Sequence, residues 1–191
     1  MSLRLRPAER RDAAELAVLV DMASHGFASW LWNGAVAGGE ADTPLERGRS
    51  VMMKDGQPGA WTDATLAEWD GEVAGVAIGY DLDGGVRGIA AANPVIAPLL
   101  ELQVTVIASR FIDSLGVYRR HRGKGIGMVL LAAEIDKAPG GRVSLITESW
   151  NDRAQSLYRA NGFVERARRP AVPLFEGSKT HDWVLMARGM T

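Results

Sequence analysis

Residues 112–131 read I-D-S-L-G-V-Y-R-R-H-R-G-K-G-I-G-M-V-L-L. Arg119, Arg120, Arg122 and Lys124 crowd cationic side chains around His121, and Gly123, Gly125 and Gly127 alternate behind them. Cations beside a glycine-rich turn are the ingredients of an anion site. Glycine has no β-carbon to hold a ligand off the backbone, so N–H groups become reachable. Where such a turn opens a helix, those N–H groups lack intrahelical partners and the helix dipole adds partial positive charge. Both flanks are present. Residues 111–117 alternate and are rich in apolar side chains, which predicts a strand; Ile126, Val129, Leu130 and Ala133 recur at helical spacing.

The spacing narrows the choice of anion. A Walker A loop requires Ser or Thr after its lysine, and Lys124 is followed by Gly125. The dinucleotide fingerprint G-x-G-x-x-G also fails, because Gly127 follows Gly125 one position early. What the chain carries is Arg122-x-x-Gly125-x-Gly127, directly after a strand ending in Leu115-Gly116-Val117. One helix and one strand later comes Asn151-x-x-Ala154-x-x-x-Tyr158-x-x-x-Gly162-Phe163. In this order the two stretches resemble the landmarks of the GNAT superfamily of N-acetyltransferases, R/Q-x-x-G-x-G/A and N-x-x-A-x-x-x-Y-x-x-x-G-F. The resemblance is strong over residues 111–164, loose over the opening L-R-L-R-P-A-E-R-R-D-A, and absent over residues 81–110.

The resemblance implies an α/β fold, a mixed central sheet with helices on both faces, in which the central strand and residues 142–147 run parallel and splay apart. It implies acetyl-CoA as cosubstrate, with pantetheine bonded to the edge of the central strand as an added strand would be. The pyrophosphate would lie on the amides of Arg122, Gly123, Lys124, Gly125, Ile126 and Gly127. Arg119, Arg120 or Lys124 would meet the 3′-phosphate, although each of these also reads as a solvated loop residue. Backbone N–H groups near Leu115, Gly116 and Val117 would polarise the thioester carbonyl, and Tyr158 would protonate the leaving thiolate. Asn151 is expected near the pantetheine, and it equally suits the N-cap of its helix. Asp113 shares a strand face with Phe111 and Leu115 and is the first candidate for the base; it could instead pair with Arg110 or Arg119. Glu101, Glu148 and His25 are rivals, and some members of the family use water chains. Without cysteine no thiol can carry an acyl-enzyme, so transfer is expected in a direct ternary complex.

The acceptor is expected to be a small primary amine. Phe27, Trp30, Leu31 and Trp32 read first as core packing and second as a wall of an acceptor pocket. Two other readings keep the same loop: a CoA-sensing module without turnover, and transfer of a longer acyl group. An NAD-binding enzyme is disfavoured by the failed glycine spacing. Members of this superfamily often dimerise through strand or helix edges, and the chain leaves a homodimer open.

The elements that must position these residues follow from periodicity. Residues 3–6 form a strand stopped by Pro7, and Asp12 is placed to cap a helix with Ala13, Leu16, Ala17, Leu19, Val20 and Ala23 on its apolar face, ended by Gly26. Thr43 is placed to cap a helix to about Met53, and residues 55–63 form a loop. Asp70-Gly71 joins strands 64–69 and 72–81 as a hairpin, with Gly75 and Gly79 marking a bulge or close backbone approach. Residues 83–98 are irregular and 98–106 suit a short helix with Leu99, Leu100 and Leu102 buried. Strand 142–147, helix 151–160, strand 163–166, loop 167–178 and strand 181–188 complete an α/β order.

Composition bounds the rest. A chain of 191 residues with 47% hydrophobic residues suits one folded domain, expected to span residues 1–191. A net charge of −1 argues against a nucleic-acid binder. No cysteines and only 3 histidines leave no expected metal site. The start M-S-L-R-L-R-P has no apolar signal core and no segment is long enough to span a membrane, so a cytoplasmic protein is expected.

Overall fold

In a computed structural model describing residues 2–190, alternating stretches build β1 (Leu3–Pro7), β2 (Ala64–Trp69), β3 (Glu72–Leu82), β4 (Ser109–Val117), β5 (Val143–Glu148), β6 (Val164–Pro170) and β7 (Asp182–Arg188). Helical spacing builds α1 (Ala13–Ala23), α2 (Phe27–Ala37), α3 (Pro44–Met52), α4 (Ala97–Gln103), α5 (Ile126–Asp136) and α6 (Asp152–Ala160). Residues 1 and 191, the ends of the expected single domain, lie outside the described residues. The strands form one seven-stranded sheet in the order β1-β2-β3-β4-β5-β7-β6. β1, β2 and β3 pair antiparallel, β4 and β5 pair parallel, and β5, β7 and β6 pair antiparallel. This is the mixed α/β sheet that the sequence motifs imply. The chain divides into two compact units, Met1–Tyr80 with Asp113–Glu134, and Asp81–Ile112 with Ile135–Thr191.

In the first unit, β2 and β3 send side chains to two different cores, and the register shift that skips Ala74 puts it on the opposite face from Val76 and Ile78. Leu66, Val76 and Ile78 meet the buried stripe of α1 (Leu16, Leu19, Val20) and Met52 of α3. Ala67, Ala74 and Ala77 meet Ile126 and Leu130 of α5, with Leu115 and Val117 of β4 packed beside them. The stripe of α5 is rotated from the expected one: Leu131 and Glu134 are buried, and Val129 is exposed. The β2–β3 hairpin turns at Asp70 and Gly71, both left-handed (φ 51° and 85°), as a two-residue turn matching strand twist requires. A bulge between Ala67 and Glu68 then shifts the register. Gly75 has the close approach expected of it. A β-carbon there would lie 2.5 Å from the Gly116 carbonyl oxygen, and one on Gly116 would lie 3.0 Å from Cβ of Ala23.

Two expected caps differ in the structure. Asp12 stands at the N-cap of α1 but its carboxylate serves the turn before it. It accepts from the Glu9 N–H (2.7 Å) and pairs with Arg6 (2.7 and 3.0 Å), which also bonds Glu68 of β2 (2.6 Å). The guanidinium outcompetes the helix N–H groups, and it holds the Asp12 carboxyl below its ordinary range. Gly26 does not end α1, which stops at Ala23; at φ 88° it is the N-cap of α2. Thr43 caps α3 as expected, accepting from the Glu46 N–H (3.2 Å), while Glu46 accepts in return from the Asp42 N–H (2.7 Å).

In the second unit, β5 is buried along most of its length between β4 and β7. Its parallel contact runs through Arg110–Ile112 against Val143–Leu145, where the buried Ser109 and Ser144 hydroxyls meet at 2.7 Å. α4 covers residues 97–103 and passes into a 3₁₀ turn, Val104–Val106; Leu102 is buried, whereas Leu99 and Leu100 are half-buried. β6 extends to Pro170, into the expected loop. It lies at the sheet edge, where proline's missing N–H is tolerated, and a register shift between Glu165 and Ala167 hides its alternation.

The Gly75–Gly116 approach yields a stability prediction. Gly75→Ala is expected to cost about 1–3 kcal/mol, because the obstacle is backbone and cannot rotate away. Urea unfolding checks it: the midpoint falls at unchanged slope, and an unchanged midpoint would show that the two strands separate freely.

Candidate functional site

The residues singled out in the sequence divide between the units. Asp113, Leu115, Gly116, Val117 and residues 122–127 lie in the first, Asn151 and Tyr158 in the second.

β4 runs into a 3₁₀ turn, Arg119–His121, and then into α5 at Ile126. Gly123 and Gly125 both have φ +81°, with nothing within 4 Å of where a β-carbon would stand. Glycine is required there by backbone conformation, and the space above the turn is open. Ile126 contributes its side chain to the core, so only its backbone faces the turn. Arg122 Nε donates to the Val117 carbonyl (2.9 Å), tying the turn to the end of β4. Arg120 pairs with Glu72 (3.0 Å) and donates to Nε2 of the buried His121 (3.0 Å). The Lys124 ammonium lies 4.7 Å above the Trp69 ring and 3.5 Å from His121 Nδ1. The cations around the turn are thus oriented by a carboxylate, a ring and a buried imidazole.

At the end of β4, Leu115 and Val117 pack into the core beneath α5, and Gly116 backs onto α1. The Tyr118 N–H donates to the Ala74 carbonyl (2.9 Å), and its hydroxyl donates to Glu15 (2.7 Å). Asp113 is exposed to solvent on β4. Its Oδ2 accepts from the Ser114 hydroxyl (3.3 Å), and a β-carbon on Gly59 would lie 3.9 Å from the same oxygen. Crowding by protein atoms pushes its carboxyl up, the Ser114 hydroxyl opposes this, and the charge of Asp63 adds to the rise. Arg110, one conceivable partner of Asp113, pairs with Asp81 (3.4 Å).

In the second unit Asn151 occupies the N-cap of α6, its Oδ1 accepting from the Ala154 N–H (3.3 Å). Tyr158 is buried, its ring 5.8 Å from that of Phe163. Burial first, and the charge of Glu148 second, push its phenol far up, so it stays protonated across the neutral range and is available as a donor. Gln155 was not singled out from the sequence. It is buried and donates to the carbonyls of Glu148 and Ser149 (3.1 Å each) while accepting from Arg159 (2.7 Å), which fixes the turn carrying Asn151. Its helical position one turn after Asn151 was the available signal.

Of the rival bases, Glu101 pairs with Arg169 (2.8 Å), His25 is exposed at φ 53°, and Glu148 is buried near Tyr158. Of the aromatic cluster, Trp32 packs into the core against Gly48, while Phe27 and Trp30 stack half-buried at 6.4 Å. Among the described residues no three or more His, Asp or Glu side chains gather to hold a metal ion, and no helix is long and apolar enough to cross a membrane.

A family model described as acetyltransferase (GNAT) family matches residues 4–163. The chain belongs to the GNAT acetyltransferase family. Solved structures share this GNAT fold at low identity. An N-acetyltransferase from Staphylococcus aureus Mu50 is 19% identical, with 96% of this chain and 99% of that one covered and a TM-score of 0.65. The ribosomal-protein-S18-alanine N-acetyltransferase from Escherichia coli is 16% identical, with 98% and 93% covered and a TM-score of 0.60. The yncA protein of Salmonella typhimurium, solved with its cofactor acetyl-CoA, is 19% identical, with 98% and 93% covered and a TM-score of 0.55. A search of curated proteins finds no match to this sequence.

The open turn gives this GNAT chain a direct test. Gly125→Asp places a carboxylate and a β-carbon where the turn is empty, and is expected to weaken CoA binding roughly tenfold or more. Calorimetry with CoA reads the affinity, and a thermal melt of the same sample reads folding. Unchanged affinity in a folded variant would remove the turn from the phosphate site.

Proposed function

We propose that the chain transfers the acetyl group of acetyl-CoA directly to a primary amine of a small, partly apolar acceptor. Acetyl transfer and acetyl-CoA as cosubstrate follow from the family; the amine, and the roles of individual residues, are our reading. The observation that carries it is the buried phenol of Tyr158, packed against Phe163 at the motif position of the acid.

The amides of Arg122, Gly123, Lys124, Gly125, Ile126 and Gly127 hold the pyrophosphate, with the oriented cations of the same turn beside the 3′-phosphate. The backbone of β4 at Leu115, Gly116 and Val117 bonds the pantetheine and polarises the thioester carbonyl. Asn151 serves the pantetheine with the part of its amide that the helix cap does not use. Asp113 accepts the proton that the acceptor ammonium must lose, and the upward push on its carboxyl makes it a stronger proton acceptor than an ordinary carboxylate. The neutral amine nitrogen attacks the thioester carbon, the carbon–sulfur bond breaks, Tyr158 donates a proton to the departing sulfur, and the proton that the new amide nitrogen sheds restores the phenol. Phe27 and Trp30, half-buried and stacked, favour an acceptor with an apolar part. A single domain working in the cytoplasm belongs with this proposal.

Tyr158→Phe tests the acid. Acceptor-dependent release of CoA thiol, followed over a panel of small primary amines, is expected to fall about 10²-fold or more in the variant with little change in CoA affinity. Full turnover in Tyr158→Phe would remove the assignment. CoA binding without thiol release for any amine, in the unmodified protein, would favour a sensing module instead.

A further inference from the structure

The segment before β2 contains a second carboxylate that the catalytic reading does not use. Asp63 Oδ2 accepts from the Gly59 N–H (2.8 Å), closing a short loop. Gly59 adopts φ +81°, and a β-carbon there would stand 3.6 Å from the Tyr80 ring and 3.9 Å from Asp113 Oδ2. The loop is therefore packed directly onto Asp113. The strand register explains the meeting. Ala64 pairs with Ile78, so Asp63 extends towards Gly79, which has no side chain to separate it from β4.

We infer that Asp63 is a positioning residue for Asp113, holding the Gly59 loop over it and keeping a second negative charge against its carboxylate. The inference rests on Asp113 being the base. A like charge held nearby disfavours ionisation of the Asp113 carboxyl, so Asp63 makes Asp113 a stronger proton acceptor. The groups that act on Asp113 are the neutral Ser114 hydroxyl from β4 and Asp63 from the loop, with the Tyr80 ring of β3 beside Gly59. Asp63 is the charged one among them. Its own fixing hydrogen bond keeps it from swinging away when Asp113 ionises, which gives the loop a role beyond closing the chain. The surrounding sequence suits that role: Gly56, Pro58 and Gly59 allow a tight loop that no helix or strand would provide.

The test reads Asp113 itself. In full-length protein labelled with carboxyl-¹³C aspartate, the Asp113 resonance is assigned by its loss in Asp113→Asn and its titration followed by NMR. In Asp63→Asn, which retains an oxygen for the Gly59 N–H but no charge, the Asp113 midpoint is expected to move to lower pH. Asp63→Glu, which keeps the charge, is expected to hold the midpoint near that of the unmodified protein. An unchanged midpoint in folded Asp63→Asn would overturn the inference, as would an equal downward move in Asp63→Glu and Asp63→Asn. The titration uses protons as its only ligand and needs no acceptor. A failed coupling is thereby distinguished from a failed assignment of the base, which is read separately as the turnover of Asp113→Asn.

Discussion

The first unit depends on how β4 is made to end. At Gly116 the strand lies so close to β3 that Gly75 has no room for a side chain, and so close to α1 that Gly116 has little. The next residue, Val117, faces the core and gives its carbonyl to Arg122, and Tyr118 gives its N–H to Ala74. Strand hydrogen bonding is thus carried to its last residue and then replaced at once by a side-chain tie. A chain held so firmly at Val117 and again at the buried Ile126 has little freedom between them, and the left-handed glycines at 123 and 125 are the conformations that close the gap. The turn's outward face is left without β-carbons as a consequence.

The second unit uses burial where the first uses an open turn. Tyr158 and Glu148 are both shielded from water, and a phenol beside a carboxylate in such a place resists ionisation. Gln155 makes this arrangement rigid by satisfying two backbone carbonyls at the end of β5, groups that would be costly to leave unpaired. The helix that carries Tyr158 is also capped by Asn151, so two side chains of one helix hold its start. A polar network that is fully connected can set a side chain's position more narrowly than apolar packing.

Much of this was legible in the sequence because it rests on local rules. Asp70-Gly71 specifies its turn, Thr43 its helix start, and the glycines after β4 their left-handed backbone, each through the conformations its own residues allow. The glycine turn was found from its own residues, and Tyr158 from the resemblance of its stretch to a family motif. What escaped was set by partners distant in sequence. Asp12 looks like a cap until Arg6 takes its carboxylate, and β6 looks like a loop until β7 supplies its register. The packing of the Asp63-bonded Gly59 loop beside Asp113 is hidden for a similar reason: the bulge at Ala67 and Glu68 shifts the pairing that the hairpin alone would give, and no local pattern announces it.

On the proposed function, the turn after β4 serves acetyl-CoA. A calorimetric titration of the full chain with acetyl-CoA, with CoA and NAD run beside it, tests this most directly. Saturable binding of acetyl-CoA and CoA at one site per chain, and none of NAD, is the expected result. A folded protein that binds no CoA species would contradict it, and the turn would then be a structural connection between β4 and α5 only.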